Sequence, residues 1–322
     1  MTETFASVRE NYLKVIIIDR INQMNTKPKD MHPKYVLITG TSSGIGAATV
    51  KLLADSGYTV FAGVRNEKAL QAWQQNNHPQ IIPLQLDVTH TTAIDEAYQK
   101  VAKTVGNNGL YALINNAGNC IGVPTELFDE EAAKHLMETH FWGMAKLCKA
   151  FIPLLRKYVQ ASESAARIIN VGSAGSISSF PFIQFYNAAK FAILGFTESI
   201  RFELAPQNIH CSAILPGAVK TEIWNRAEES IKNSLQQLSH EGAHLYRDNI
   251  VSALQLSNKL ENKGVSPEAA ALVYKKVLES PKPRLKYFIG ADSKLMHWMV
   301  RYLPDSLRHG IINTQLKFKK TL

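Results

Sequence analysis

Short apolar runs alternate along the chain with longer stretches in which apolar residues recur every third or fourth position. Tyr35 to Thr39 (YVLIT) is an apolar run of strand length, and behind it Ala47, Val50, Leu53 and Ala54 share one helical face up to a stop at Gly57. Thr59 to Val64, Ile81 to Leu86 and Tyr111 to Ile114 read as three further strands, with a helix over Thr91 to Val105 between the last two. Strands separated by helices call for parallel pairing through right-handed crossovers. The expected class is therefore α/β, a single domain built on a doubly wound parallel sheet, with ligands at the carboxyl ends of the strands.

The flanks carry weaker patterns. Residues 1–31 are an N-terminal extension whose apolar patch, Leu13 to Ile18, falls well short of the ~20 residues that span a bilayer; an added surface helix and a leader are both open readings. The domain proper is expected over 32–322. Within it, 222–265 turns polar and helical, a length that suits a lid over a site. Ser266-Pro267-Glu268 is a helix start, with serine at the N-cap and proline in the first turn. The C-terminal extension, 290–322, mixes Trp298, Met299, Leu303 and Ile311 with Arg301, Arg308, Lys317, Lys319 and Lys320. That mixture suits peripheral contact with a membrane or a partner subunit, although an ordinary helix packed on its own domain is the simpler reading.

Composition narrows the function classes. With 322 residues, 45% of them hydrophobic, there is material for one large core. The formal net charge of +9 fits a phosphate-bearing ligand or an anionic surface. Its basic residues are scattered, without a stripe interleaved with aromatics, so nucleic acid is disfavoured. Cys120, Cys148 and Cys211 form no CxxC pair and no even-numbered framework, which points to a reducing, cytoplasmic compartment. The ten histidines lack metal-ligand spacing, and no metal is expected.

Candidate chemistry sits where the first strand ends. GTSSGIG supplies Gly40, Ser42, Ser43, Gly44, Ile45 and Gly46 between that strand and its helix, the context of a dinucleotide phosphate loop. At the end of the second strand, where NAD-binding chains carry an acid for the ribose hydroxyl, Val64 is followed by Arg65. An arginine there can pair with a 2′-phosphate, so NADP(H) is favoured over NAD; the rival reading is a solvated surface arginine. Further on, Tyr186 and Lys190 are four residues apart, one helical turn, and Ser173 lies thirteen residues before the tyrosine. FPFIQF, Phe180 to Phe185, is strongly apolar and suits either a substrate wall or core packing beneath it.

Taken in order, these motifs resemble the short-chain dehydrogenase/reductase family. The likeness runs from Thr39–Gly46 (TGxxxGxG) through Asp87-Val88, NNAG at Asn115 to Gly118, Ser173, YxxxK at Tyr186 to Lys190 and the Pro216-Gly217 turn. VFAGVRN and the tail PRLKYFIGADSKL look most like the hydroxysteroid and retinol dehydrogenase branch. The resemblance implies a Rossmann-type sheet of about seven strands, completed by Arg167 to Val171, Ile209 to Leu215 and Leu285 to Ile289, and a homo-oligomer. It implies that Asp87 and Val88 flank an adenine, that Asn115, Ala117 and Gly118 line the cofactor floor, and that Val219 and Thr221 hold the nicotinamide end. In that scheme Ser173 holds the substrate oxygen and Tyr186 exchanges its proton. A free tyrosine, with pKa ~10, needs help at neutral pH, which the charge of Lys190 would supply together with the oxidised nicotinamide. The implied activity is NADP(H)-dependent interconversion of a hydrophobic alcohol and its ketone or aldehyde; an NAD-dependent enzyme and a weakly catalytic nucleotide sensor are the alternatives. One residue departs from the family: METHFWG places His140 where an asparagine usually supports the proton path to the lysine. Its titration near neutral pH is expected to tune that path.

Overall fold

Seven apolar runs pair side by side because strands buried on both faces need neighbours for every backbone N–H and C=O. The computed structural model describes residues 32–237 and 240–316; the N-terminal extension 1–31 and the lysines of 317–322 lie outside the described residues. The strands are β1 (Tyr35–Thr39), β2 (Thr59–Val64), β3 (Ile81–Gln85), β4 (Ala112–Asn115), β5 (Ala166–Val171), β6 (Ile209–Pro216) and β7 (Lys286–Ile289). They form one sheet in the order β3-β2-β1-β4-β5-β6-β7, and every pair is parallel. Every residue of β4 and β5 is buried, as a sheet covered on both faces requires.

The covering helices are the amphipathic stretches. α1 (Gly44–Asp55) packs against α9 (Pro267–Glu279), and α3 (Thr91–Val105) against α5 (Gly143–Ser162), while α2 (Glu67–Gln75), α4 (Glu130–Met137) and α6 (Gln184–Leu204) complete the layers. Leu37, Phe61, Leu113, Ile168, Ile169 and Ile214 lie at the centre without exposed surface. Ser266 caps α9 as its sequence suggests, its side chain accepting from the Ala269 N–H at 3.2 Å. Ser266→Ala is expected to lower the unfolding free energy by about 1 kcal/mol in a urea titration, with Ser266→Asp near the parent value. Equal loss in both variants would show that the cap contributes nothing.

The strand order reverses between β1 and β4, and the carboxyl ends of these two strands part there. Buried Thr39 stitches the crevice: its hydroxyl oxygen accepts from the N–H groups of Asn116 and Ala117, both at 3.0 Å. Asn116 Nδ2 returns bonds to the carbonyls of Thr39 (2.9 Å) and Gly40 (3.1 Å), and its Oδ1 accepts from the Tyr274 hydroxyl of α9 at 3.2 Å.

Beyond β6 the polar segment is two helices, α7 (Ile223–Gln237) and α8 (His240–Lys263). Trp224 Nε1 donates to the Val219 carbonyl at 2.8 Å and Ser230 Oγ to that of Gly122 at 3.1 Å, which holds α7 beside the strand ends. The C-terminal α10 (Ala291–Tyr302) and α11 (Asp305–Leu316) bury Met296, Met299 and Leu316 and leave Leu295, Trp298, Tyr302, Leu307 and Ile311 exposed. Among the described residues no helix is long and apolar enough to cross a membrane.

Candidate active site

β5 delivers the chain to the carboxyl edge of the sheet, where Ser173, in extended backbone, caps a short turn over Ala174–Ser176. Its Oγ accepts from the Gly175 N–H at 3.1 Å, and its own N–H donates to Ser176 Oγ at 3.0 Å. These two hydrogen bonds fix the direction of the serine, which also hydrogen-bonds the Tyr186 side chain. Tyr186 and Lys190 project from the first turns of α6, one above the other. Lys190 Nζ donates to the Val171 carbonyl at 2.7 Å and stands 5.5 Å from the centre of the Tyr186 ring. The structure thus brings the three residues together.

Their electrostatics follow from burial. Desolvation, reinforced by Cys120, pushes the Tyr186 phenol above its ordinary value, and the Ser173 bond only partly opposes it. Desolvation likewise pulls the Lys190 ammonium down to about 7, against the opposing influence of Cys120. In the protein alone the lysine, brought down to about 7, is already neutral at the pH where the buried phenol titrates, so burial outweighs it; the lowering that the resemblance implies draws on a bound oxidised nicotinamide as well.

His140 corrects a second expectation. It sits in a π-helical turn, Glu138–Trp142, between α4 and α5, whose extra residue per turn swings the imidazole inward. There it is 2% exposed and edge-on to the Tyr186 ring, centroids 5.5 Å apart. Nε2 is 2.7 Å from the Asn119 carbonyl. Burial, with the Lys190 charge, holds its pKa at about 3, so the imidazole is neutral across the physiological range and does not titrate there. Its Nδ1 has no hydrogen-bond partner among the described residues. The ring lies flush on Gly118, where an added Cβ would approach it to 2.5 Å.

One cavity of about 360 Å³ joins these groups to the glycine loop. Gly40, Ser42, Ser43, Gly44, Ile45 and Gly46 line it, with Gly118, His140, Ser173, Tyr186, Lys190, Val219 and Thr221. The loop admits only glycine at its tightest points: Gly40 has φ +67°, and a Cβ on Gly46 would lie 2.3 Å from the Gly40 carbonyl oxygen. Ser43, at the N-cap of α1, makes no side-chain cap, which leaves the first N–H groups of the helix directed at the cavity. A glycine cradle on an uncapped helix N-terminus fits a diphosphate.

Other expected residues lie off the lining. Asn115 points the opposite way from its neighbour, bonding Asn170 Oδ1 at 2.8 Å between β4 and β5, and Asn116 takes its place in the wall. Ala117 packs beneath Gly40, where a Cβ would meet its Cα at 2.6 Å. Val88 is buried under Gly143. Asp87 accepts from the Thr89 N–H (3.0 Å) and hydroxyl (2.7 Å); burial raises its pKa, but these bonds and nearby Arg65 leave it below the ordinary value. Arg65 itself is exposed beyond β2.

The apolar wall comes from Phe180, Pro181, Phe182 and Ile183, the first four residues of FPFIQF, whereas Phe185 packs on Phe128 with ring centroids 4.8 Å apart. Phe182 has φ +64°, unusual for a bulky residue and worth about 1–3 kcal/mol of strain. Two bonds hold it: the Val123 N–H donates to the Phe182 carbonyl and Asn187 Nδ2 to that of Phe180, both at 2.7 Å. Asp292 and Leu316 escaped the sequence reading. Asp292 Oδ2 accepts from the Ala218 N–H at 2.6 Å and fills the space beside Gly217, while Leu316, at the end of α11, closes one side of the cavity. Each acts across a long sequence separation, so no local pattern marks it.

The family model described as short chain dehydrogenase matches residues 34–232, which hold the glycine loop, Ser173, Tyr186 and Lys190. The chain belongs to the short-chain dehydrogenase/reductase family. It is 34% identical over 285 residues to the 17-beta-hydroxysteroid dehydrogenase type 2 of Homo sapiens, covering 84% of this chain and 70% of that one. It is 30% identical over 312 residues to retinol dehydrogenase 16 of Mus musculus, with 94% of each chain covered. These likenesses place it in the hydroxysteroid and retinol dehydrogenase branch. Among solved structures, a short-chain dehydrogenase from Streptomyces avermitilis shares its fold with a TM-score of 0.69 at 24% identity, over 88% of this chain and 96% of that one. As a short-chain dehydrogenase/reductase the protein is an oxidoreductase that binds a nicotinamide dinucleotide and acts on CH–OH groups.

Proposed function

We propose that this short-chain dehydrogenase/reductase interconverts a hydrophobic alcohol and its ketone or aldehyde with NADP(H). The observation that carries the reading is the single cavity in which Ser173, Tyr186 and Lys190 face a glycine loop across a wall of Phe180, Phe182 and Ile183. Relatives named for a hydroxysteroid and for retinol support an apolar substrate.

In this reading the bound nicotinamide supplies or takes up the hydride. Ser173 holds the substrate oxygen, and Tyr186 gives that oxygen a proton in reduction and removes it in oxidation. Lys190 positions and charges the tyrosine's surroundings. Gly40 to Gly46 carry the diphosphate, Arg65 the 2′-phosphate, and Asp87 and Val88 border the adenine. Asn115 and Ala117 hold the floor from behind, Gly118 forms its surface, and Val219 and Thr221 keep the nicotinamide end. α7 and α8 act as the lid, since Trp224, Ile231 and Leu260 line the cavity from that side. The exposed row Leu295, Trp298 and Tyr302 on α10 supports a peripheral contact with a membrane or a second subunit.

His140 sets an uncharged imidazole edge-on to Tyr186, its Nε2 engaged with the backbone of Asn119. Asparagine at this place would likewise be polar and uncharged, so His140→Asn is expected to keep kcat within about threefold of the parent. A loss as large as that of Tyr186→Phe would show that the imidazole is specifically required.

The deciding experiment titrates the purified protein with NADPH and NADH by fluorescence, then assays a panel of apolar carbonyls with the tighter nucleotide. NADPH is expected to bind more tightly. Failure of both nucleotides to bind ends the proposal; much tighter NADH binding removes the role given to Arg65.

A further inference from the structure

The turn that follows β6 is held from behind by the start of α10. Gly290, with φ +87°, separates β7 from α10 and sets Asp292 in the first turn of the helix. Asp292 Oδ2 accepts from the Ala218 N–H at 2.6 Å, and the next residue, buried Ser293, donates from Oγ to the Leu215 carbonyl at 2.7 Å. The Gly217 N–H donates to the Ile289 carbonyl at 2.9 Å. A Cβ on Gly217 would lie 2.2 Å from both carboxylate oxygens, so the close approach depends on that glycine. The run Leu215–Ala218 is thereby fixed, and Val219 after it is bridged to Val265. Bracing of this kind needs an acceptor but no charge, since an asparagine amide oxygen accepts the same bond. The carboxylate nevertheless borders the catalytic cavity together with Val219 and Thr221. Among the described residues no lysine, arginine or histidine side chain forms an ion pair with it. The partial positive charge at the α10 N-terminus answers only part of a full negative charge.

We propose that Asp292 determines which redox state of the nucleotide the protein prefers: its carboxylate favours the oxidised form over the reduced one. The inference rests on the function proposed above, in which Val219 and Thr221 keep the nicotinamide end. Reduction moves a hydride from the nucleotide to the carbonyl carbon and a proton from Tyr186 to the carbonyl oxygen, and it leaves a positive charge on the nicotinamide ring. The ring of the reduced nucleotide is uncharged. A carboxylate at this end of the cavity therefore attracts one redox state and is indifferent to the other. It acts across several ångströms, because the effective dielectric near such a site is ~20 rather than ~80. On the enzyme, alcohol with oxidised nucleotide is then favoured over carbonyl with reduced nucleotide. Asp292 thus has two separable roles, a brace made by its oxygen and a bias made by its charge.

The test titrates the full chain by calorimetry with the oxidised and the reduced form of whichever nucleotide, NADP or NAD, binds more tightly. Asp292→Asn keeps the acceptor for the Ala218 N–H and removes the charge. It is expected to weaken the oxidised form about fivefold and to leave the reduced form within about twofold of the parent. The benzamide analogue of the same nucleotide, whose ring is flat and aromatic but uncharged, is expected to bind parent and variant within about twofold of each other. Asp292→Ser, smaller and also uncharged, carries the test if the asparagine variant does not fold, with far-ultraviolet circular dichroism as the folding check. The expected mark of the serine variant is the same fall in the ratio of oxidised to reduced affinity. Equal weakening of both redox states overturns the proposal, because the residue is then a brace alone. An unchanged ratio overturns it too, as does a benzamide analogue that loses as much affinity as the oxidised nucleotide. Failure of every nucleotide to bind the parent removes the function proposed above and this inference with it, whereas tight binding with an unchanged ratio removes the role of Asp292 alone.

Discussion

Tyr186→Phe is expected to lower kcat about 10³-fold while the nucleotide dissociation constant stays within about twofold. Proton transfer by a positioned side chain contributes ~10²–10⁴ in rate, and the phenol is the group that Ser173 aligns in the cavity. The phenylalanine ring keeps the edge contact with His140 and the place beside Lys190, so packing survives the change. What disappears is the hydroxyl and its Ser173 bond, a loss of about 1 kcal/mol in stability. Stopped-flow and steady-state assays with a carbonyl substrate, alongside nucleotide titration, separate the two effects. A fall in kcat smaller than about tenfold would assign the proton to another group.

Lys190→Met is expected to abolish turnover to a similar degree and, unlike the tyrosine change, to raise stability below neutral pH. Burial holds the folded-state pKa of Lys190 at about 7, whereas an unfolded chain has its lysine near ~10.4. Between those values the unfolded state binds the additional proton, so the parent protein gains stability as pH rises through this window. Below pH ~7 the cost of the buried ammonium is fully present; above ~10.4 it is absent. The linked free energy is on the order of 5 kcal/mol at most. Loss of the donor to the Val171 carbonyl takes back about 1–3 kcal/mol of it. Thermal unfolding of both proteins from pH 5 to 10 measures the difference, which is expected to favour methionine at pH 6 and to shrink as pH rises. A methionine variant less stable than the parent at pH 6 would contradict the assignment of buried charge. Retention of a costly ammonium beside Tyr186 is the expected mark of a group kept for chemistry.

The parts of this site that depend on neighbouring residues were legible in the chain. A strand announces itself by a run of apolar residues, and a phosphate loop by glycines between such a run and a helix. Tyr186 and Lys190 announce theirs by a spacing of one helical turn. All of these follow from the period of the backbone, which is local. Asn115 marks where local reasoning stops: it stands in the motif with Asn116, yet alternation along the strand sends it behind the wall and puts its neighbour on the surface. The place of His140 is legible in METHFWG but its charge is not, because its pKa is a matter of desolvation in a π-helical turn packed on Gly118. The opposition between Lys190 and Tyr186 has the same origin. Asp292 and Leu316 come from segments far in sequence from the rest of the site, which they meet at one end of the sheet. Spacing along the chain therefore decided which residues this site uses; three-dimensional packing decided which way they face and whether they are charged. The reason is that backbone period is set within a few residues, whereas solvent exclusion is set by everything folded around them.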